Sequence, residues 1–146
     1  MTTEIKEPAM GRFSVELELA NQKDVNLAEE GHLAPELVRR AKIRGVVDTG
    51  ATRLVLPEAI TRQLGLITSG AVSVRYADGR SAQRSIVQNV QLKYAGRQSV
   101  FNAIVEPGRE SALIGAIVLE DLDFLADCIG GRLVPRDPNQ IISEAE

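Results

Sequence analysis

Residues 45–57 read GVVDTGATRLVLP, and this stretch decides how the chain folds. The apolar run 45–47 is typical of a buried strand, and it leads directly into Asp48. A carboxylate at the edge of a buried layer is unfavourable unless it has a partner or a use. Gly50 allows a tight turn with close backbone approach, and the Thr49 hydroxyl can hold the loop by hydrogen bonds. In isolation the tripeptide predicts only an Asx turn at a strand end.

Short strands separated by turns account for most of the remaining sequence. Alternating apolar residues predict half-buried strands over 13–19, 72–76, 90–94 and 101–105. Asp78-Gly79 is typical of a tight hairpin turn, which predicts a return strand over 80–87.

Two segments have the apolar spacing of short helices. Residues 57–64 predict one, with Pro57 at the first helical position and Gly65 after the last. Residues 116–122 predict the second, directly after the apolar run and glycine of 112–115. The polar segment 21–34 is interpreted as a loop or an irregular hairpin arm.

Composition limits the classes of function. The 146 residues predict one domain over 11–136, with flexible tails at 1–10 and 137–146. A net charge of −3 disfavours a nucleic-acid partner. One cysteine and one histidine exclude a disulfide framework and an ordinary zinc site. The sequence contains no apolar run of about 18 residues, the length that spans a membrane. Residues 1–10 lack an apolar segment, so no signal peptide is expected there. The sequence therefore predicts a cytoplasmic protein.

The order of these landmarks resembles that of the retropepsin-like aspartic proteases, the family of the retroviral enzymes and of small bacterial single-domain members. The resemblance extends over about residues 13–135. It implies that Asp48 is the catalytic carboxylate and that Thr49, Gly50 and Ala51 form the active-site loop.

The same resemblance implies roles for two later segments. Ile114 and Gly115 correspond to the apolar residue and glycine that pack beside the catalytic loop. The hairpin over 76–87 takes the place of the flap, so Tyr76, Asp78 and Gly79 are candidate substrate-binding residues.

The implied fold is all-β: a closed, retropepsin-like barrel equivalent to half of pepsin, with one or two short helices. Because the chain carries one Asp-Thr-Gly, an obligate homodimer is expected, with water activated between two Asp48 carboxylates. The strand from Phe13 and residues Leu133 and Val134 are candidate edges for the dimer. The implied activity is peptide-bond hydrolysis of a peptide or protein, without cofactor, metal or membrane.

Departures from the viral pattern leave two alternatives open. Ala116-Ile117 follow Gly115 where the viral enzymes carry polar residues, Thr52 replaces their usual Asp, and the flap tip is charged instead of glycine-rich. A non-catalytic peptide-binding module on the same fold is one alternative. The other is a self-processing protease that removes residues 1–10.

Other reactive side chains are interpreted as structural. Arg53 is expected to point to solvent, and His32 to lie in a solvated loop. Cys128 is expected to be a small packed residue at a strand end.

Overall fold

Alternating apolar residues build the strands of a closed barrel in the computed structural model, which describes residues 12–145. The strands in chain order are β1 Arg12–Asn21, β2 Arg40–Asp48, β3 Leu54–Pro57, β4 Thr68–Arg75, β5 Ser81–Tyr94, β6 Arg97–Glu106, β7 Ala112–Ile114, β8 Phe124–Asp127 and β9 Arg132–Pro135.

Six of these strands form the barrel. They follow one another in the order β1, β2, β7, β3, β6 and β5, and β5 returns to β1 through residues 18–21. Strands β2 and β7 run parallel, with Val47 opposite Ile114, whereas β1 and β2 run antiparallel. The prediction of a closed all-β barrel is confirmed.

Large aliphatic side chains fill the barrel. Leu17 and Leu19 of β1, Val47 of β2, Leu54 of β3 and Leu92 of β5 are at most 2% exposed. Each such side chain stabilises the fold by about 1.5–3 kcal/mol relative to an exposed one. The core therefore fixes the end of β2, where the candidate catalytic loop begins.

Three short α-helices connect the strands in the described part of the chain, so the prediction of one or two is too low. They are α1 Gln22–Glu29, α2 Glu58–Gln63 and α3 Ala116–Leu122. Helix α3 has the predicted bounds. Helix α2 begins one residue later than predicted, because Pro57 belongs to β3, and it ends one residue earlier, at Gln63. Gly65, with φ +63°, follows its last turn.

Helix α1 lies in the segment predicted as a loop, and that prediction is wrong. The Asn21 side chain caps α1 by accepting from the Asp24 N–H at 3.2 Å, which satisfies an otherwise unpaired helix-terminal donor. It also donates to the Leu64 carbonyl at 2.8 Å. The Asp24 carboxylate accepts two hydrogen bonds from the Arg39 guanidinium, at 2.8 and 3.0 Å. These long-range contacts stabilise α1, although its apolar residues do not have the spacing of an amphipathic helix.

The strand prediction is wrong in two details. The two strands predicted over 80–87 and 90–94 are one strand, β5, with an irregularity between Val87 and Val90 where Asn89 has φ 66°. Strand β3 was not predicted, because its run of apolar residues lacks alternation.

Beyond the barrel, β8 and β9 form a separate hairpin. Leu133 and Val134 pair there with β8 of the same chain, so one edge of β9 is already used. Cys128 follows β8 and is exposed, so the prediction of a packed side chain is wrong.

The predicted tails differ in what the structure shows. Residues 1–10 lie outside the described residues. In the C-terminal segment, the Arg97 guanidinium donates to the carbonyls of Asp137 and, at 3.0 Å, Gln140. Asp123 accepts from the Ile142 N–H at 2.9 Å. The flexibility of 137–146 stays a prediction. Between residues 12 and 145, no helix is long and apolar enough to cross a membrane.

Candidate active site

Asp48 is the last residue of β2, at one end of the barrel. Val47 before it is fully buried, whereas Thr49 and Gly50 after it are exposed. The Asp48 carboxylate therefore lies where the strand leaves the core, and the Asp48 side chain is 17% exposed.

The Asp48 loop holds its own carboxylate in place. The Gly50 N–H donates to Asp48 Oδ1 at 3.0 Å, and the Ala51 N–H donates to the Asp48 carbonyl at 3.1 Å. Because the donor to Oδ1 is a backbone N–H, this hydrogen bond does not depend on a mobile side chain.

Helix α3 locks this loop onto the barrel. The N–H groups of Ala116 and Ile117 donate to the carbonyls of Ala51 and Thr52, each at 2.9 Å. A Cβ atom at Gly115 would lie 2.6 Å from the Arg53 carbonyl oxygen and 2.6 Å from the Thr52 carbonyl carbon. Glycine is therefore required for the close approach of the two segments. Ile114, which precedes it, is buried.

Arg12 binds the second oxygen of the candidate catalytic carboxylate. It lies opposite Asp48 in the register of β1 and β2, and its Nη2 atom is 3.0 Å from Asp48 Oδ2. The Arg12 side chain is 56% exposed, so water screens this ion pair. In the single chain, both carboxylate oxygens have partners.

The predicted flap is a hairpin formed by β4 and β5. At its tip the Gly79 N–H donates to the Tyr76 carbonyl at 2.9 Å, and Gly79 has φ +90°. Asp78 and Gly79 are exposed. Hydrogen bonds from the Arg80 N–H and then from its guanidinium lower the pKa of Asp78. The tip is therefore a hydrogen-bonded turn with polar, exposed residues.

The side chain of Tyr76 joins a charged cluster at the base of the hairpin tip. Its hydroxyl donates to Glu106 Oε2 at 2.8 Å and accepts from Arg84 Nε at 3.1 Å. Arg84 Nε also lies 2.8 Å from Glu106 Oε1, and this hydrogen bond raises the pKa of Arg84. The cluster ties the hairpin to the end of β6.

The other residues singled out in the sequence lie apart from this loop or face solvent. Arg53 and His32 are exposed, as expected. Within residues 12–145, no three His, Cys, Asp or Glu side chains come together in a way that could hold a metal ion.

Sequence reasoning missed four residues around the site: Arg12, Arg84, Glu106 and Arg109. Arg12 could have been found, because antiparallel pairing of 13–19 with 41–47 places it opposite Asp48. The others come together through packing of the hairpin against the loop after β6, for which the sequence carries no periodic signal.

The fold and the site define a class of protein: a closed β-barrel with one aspartate on a strand-end loop locked by a glycine before a helix. Residues 37–121, more than half of the chain, match the family described as "gag-polyprotein putative aspartyl protease". The chain belongs to this family.

Among solved structures, the chain is similar to the EIAV protease complexed with the inhibitor HBY-793. The two are 21% identical, with a TM-score of 0.48, over 64% of this chain and 82% of the viral one. No curated protein matches the chain.

Proposed function

We propose that the protein is an aspartic endopeptidase whose active site forms between two copies of the chain, each supplying Asp48. The observation that carries this proposal is the Asp48 loop. Its carboxylate is oriented by the Gly50 N–H, and the loop is locked onto α3 at Gly115. An ordinary Asx turn would not need such a lock.

The proposed chemistry uses two carboxylates that share one proton. Like charges about 3 Å apart cannot both ionise, so one Asp48 stays protonated. The ionised Asp48 takes a proton from water as the water oxygen bonds to the peptide carbonyl carbon. The protonated Asp48 gives its proton to the carbonyl oxygen. When the carbon–nitrogen bond then breaks, the leaving nitrogen takes a proton from one Asp48, while a hydroxyl of the diol gives its proton to the other Asp48 as the new carboxyl group forms. One shared proton therefore remains on the pair.

The surface beside the loop supports pairing with a second copy. Thr49 and Gly50 are exposed in the single chain, and Ile117, whose N–H binds the same loop, is 42% exposed. Thr49 would hydrogen-bond across the two-fold axis, and Ala51 would pack beneath the carboxylates. Tyr76, Asp78 and Gly79 of the hairpin would cover the backbone of a peptide substrate.

A non-catalytic peptide-binding module is the second candidate, and the Arg12 contact favours it. The guanidinium occupies Asp48 Oδ2, the oxygen that a second carboxylate or a water would otherwise approach. A module of this kind would bind a peptide by strand addition without hydrolysing it.

The test is cleavage of a peptide library at acid and neutral pH, with light scattering to report the mass in the same solution. We expect cleavage by a dimer, faster below neutral pH, and loss of at least about a thousandfold in Asp48→Asn. Asp121→Asn, an exposed change on α3, is the matched control. A folded dimer that binds peptides without cleaving them would favour the binding module. A stable monomer that cleaves would contradict the shared site.

A further inference from the structure

A cavity of about 570 Å³ lies between the predicted flap and the loop after β6. Its walls come from the β4–β5 hairpin, through Tyr76, Arg80 and Arg84, and from the loop after β6, through Glu106 and Arg109. Three arginines and one glutamate therefore face one open space. The charge of this space depends on which of these groups already have partners.

Glu106 and Arg84 neutralise each other. They form an ion pair at 2.8 Å in which the Arg84 side chain is 28% exposed, and the Tyr76 hydroxyl binds both. Glu106 therefore has little attraction left for another cation.

Arg80 and Arg109 leave the cavity positive. Arg80 pairs with Asp78 at the exposed hairpin tip, where solvent makes such a pair weak. Arg109 is half-buried. Between residues 12 and 145, its guanidinium makes one hydrogen bond, from Nε to the Ser111 carbonyl at 2.7 Å, and has no carboxylate within 4.0 Å.

Arg109 also connects the cavity with the catalytic loop. Burial lowers the pKa of Arg109, and the charge of Arg12 lowers it further, whereas Glu106 and Asp48 act in the opposite direction. The loop that carries Arg109 leads into β7, which pairs with β2, the strand that ends at Asp48. A half-buried guanidinium with unused N–H groups binds a carboxylate well, because its planar fork matches the two oxygens.

We propose that this cavity is a substrate subsite that takes an acidic side chain, Asp or Glu, of the peptide, with Arg109 as its main specificity residue. The inference rests on the proposed peptide-binding site at Asp48. Arg109 binds the substrate carboxylate, Arg80 adds positive charge at the rim, and Tyr76 forms part of the wall.

The test uses fluorescent octapeptide pools that are random except for one position, fixed as Glu in one pool and Gln in its partner. We expect wild type to cleave the Glu pool at least about tenfold faster at one of the positions, the usual effect of a charged hydrogen bond. Arg109→Gln should reduce the ratio of the cleavage rates of the Glu and Gln pools at that position to less than about two. Arg109→Glu should cleave a pool with Lys fixed at that position faster than the Glu pool. Arg62→Gln, an exposed arginine of α2 outside the cavity, should keep the wild-type ratio.

The outcomes separate this inference from the proposed function. Cleavage without any preference for Glu, or with a preference that is unchanged in Arg109→Gln, would contradict the proposed subsite. The proposal that the protein is a protease would be unaffected. If no pool is cleaved, the protease proposal fails, and fluorescence anisotropy then decides the subsite. Tighter binding of a Glu pool by wild type than by Arg109→Gln would support it. Equal binding, or none, would overturn it.

Discussion

At the residue scale, Gly115 leaves no space for a side chain. Its nearest neighbours are backbone atoms of Thr52 and Arg53, which can move only if the Asp48 loop moves. We expect Gly115→Ala to destabilise the fold by about 1–3 kcal/mol. It should also slow peptide cleavage by about a hundredfold, because small misplacements of a reacting group are that harmful. Urea unfolding and cleavage rates measure the two effects.

Gly70→Ala is the matched control for that substitution. Gly70 lies in β4, and a Cβ atom there would have nothing within 4 Å. The control should change stability and cleavage little. Gly115→Ala with wild-type stability and rate would contradict the close packing of α3 against the Asp48 loop.

The ion pair between Arg12 and Asp48 gives a second test of the candidate site. The Arg12 guanidinium competes with the second carboxylate and with water for Oδ2. Arg12→Met keeps most of the aliphatic stem and removes the charge. Because an exposed ion pair is worth about 0.5–1 kcal/mol, we expect kcat/KM to rise about two- to fivefold.

Lys42→Met is the control for this effect of charge. Lys42 is an exposed cation of β2 that lies opposite Glu18, away from Asp48, and its loss should leave kcat/KM unchanged. Slower cleavage by Arg12→Met would mean instead that the guanidinium assists the reaction in the dimer.

At the scale of elements, the parts that could be predicted are those with a local signal. Alternation located β1, β4 and β6, and the glycine before residues 116–122 located α3 with its bounds. The Asp48 loop could be recognised only from its place among later landmarks that resemble those of the aspartic proteases, because the tripeptide alone predicts an Asx turn.

The parts that escaped prediction depend on distant partners. Helix α1 forms where the spacing is poor because Asn21 and Asp24 bind groups far along the chain, the Leu64 carbonyl and the Arg39 guanidinium. The charged cluster of Tyr76, Arg84 and Glu106 joins a hairpin to the end of β6. Such contacts arise only once the barrel has brought the elements together.

At the scale of the whole molecule, acid acts in opposite directions on stability and on the proposed activity. The hydrogen bond from the Arg39 side chain holds the pKa of Asp24 below its ordinary value of 3.8. The Ile142 N–H, followed by Arg136, lowers the pKa of Asp123 in the same way. In acid the unfolded chain therefore binds more protons at these positions than the folded one. Their stabilising contribution is complete well above pH 3.8 and is lost as the pH falls through and below it.

Asp24→Asn tests this linkage. Near neutral pH we expect it to lower the free energy of unfolding by about 1–2 kcal/mol, because the Arg39 guanidinium and N–H lose a charged acceptor. Urea unfolding at several pH values should show this difference from wild type narrowing as the pH falls below 3.8, where the wild-type carboxylate is itself becoming protonated. Asp121→Asn, at an exposed position, should follow the wild-type curve throughout. A difference that stays constant down to about pH 2 would show that the amide disturbs packing and not charge. The shared proton favours cleavage in acid, so linkage at Asp24 and Asp123 would set the acid limit of the proposed enzyme's working range.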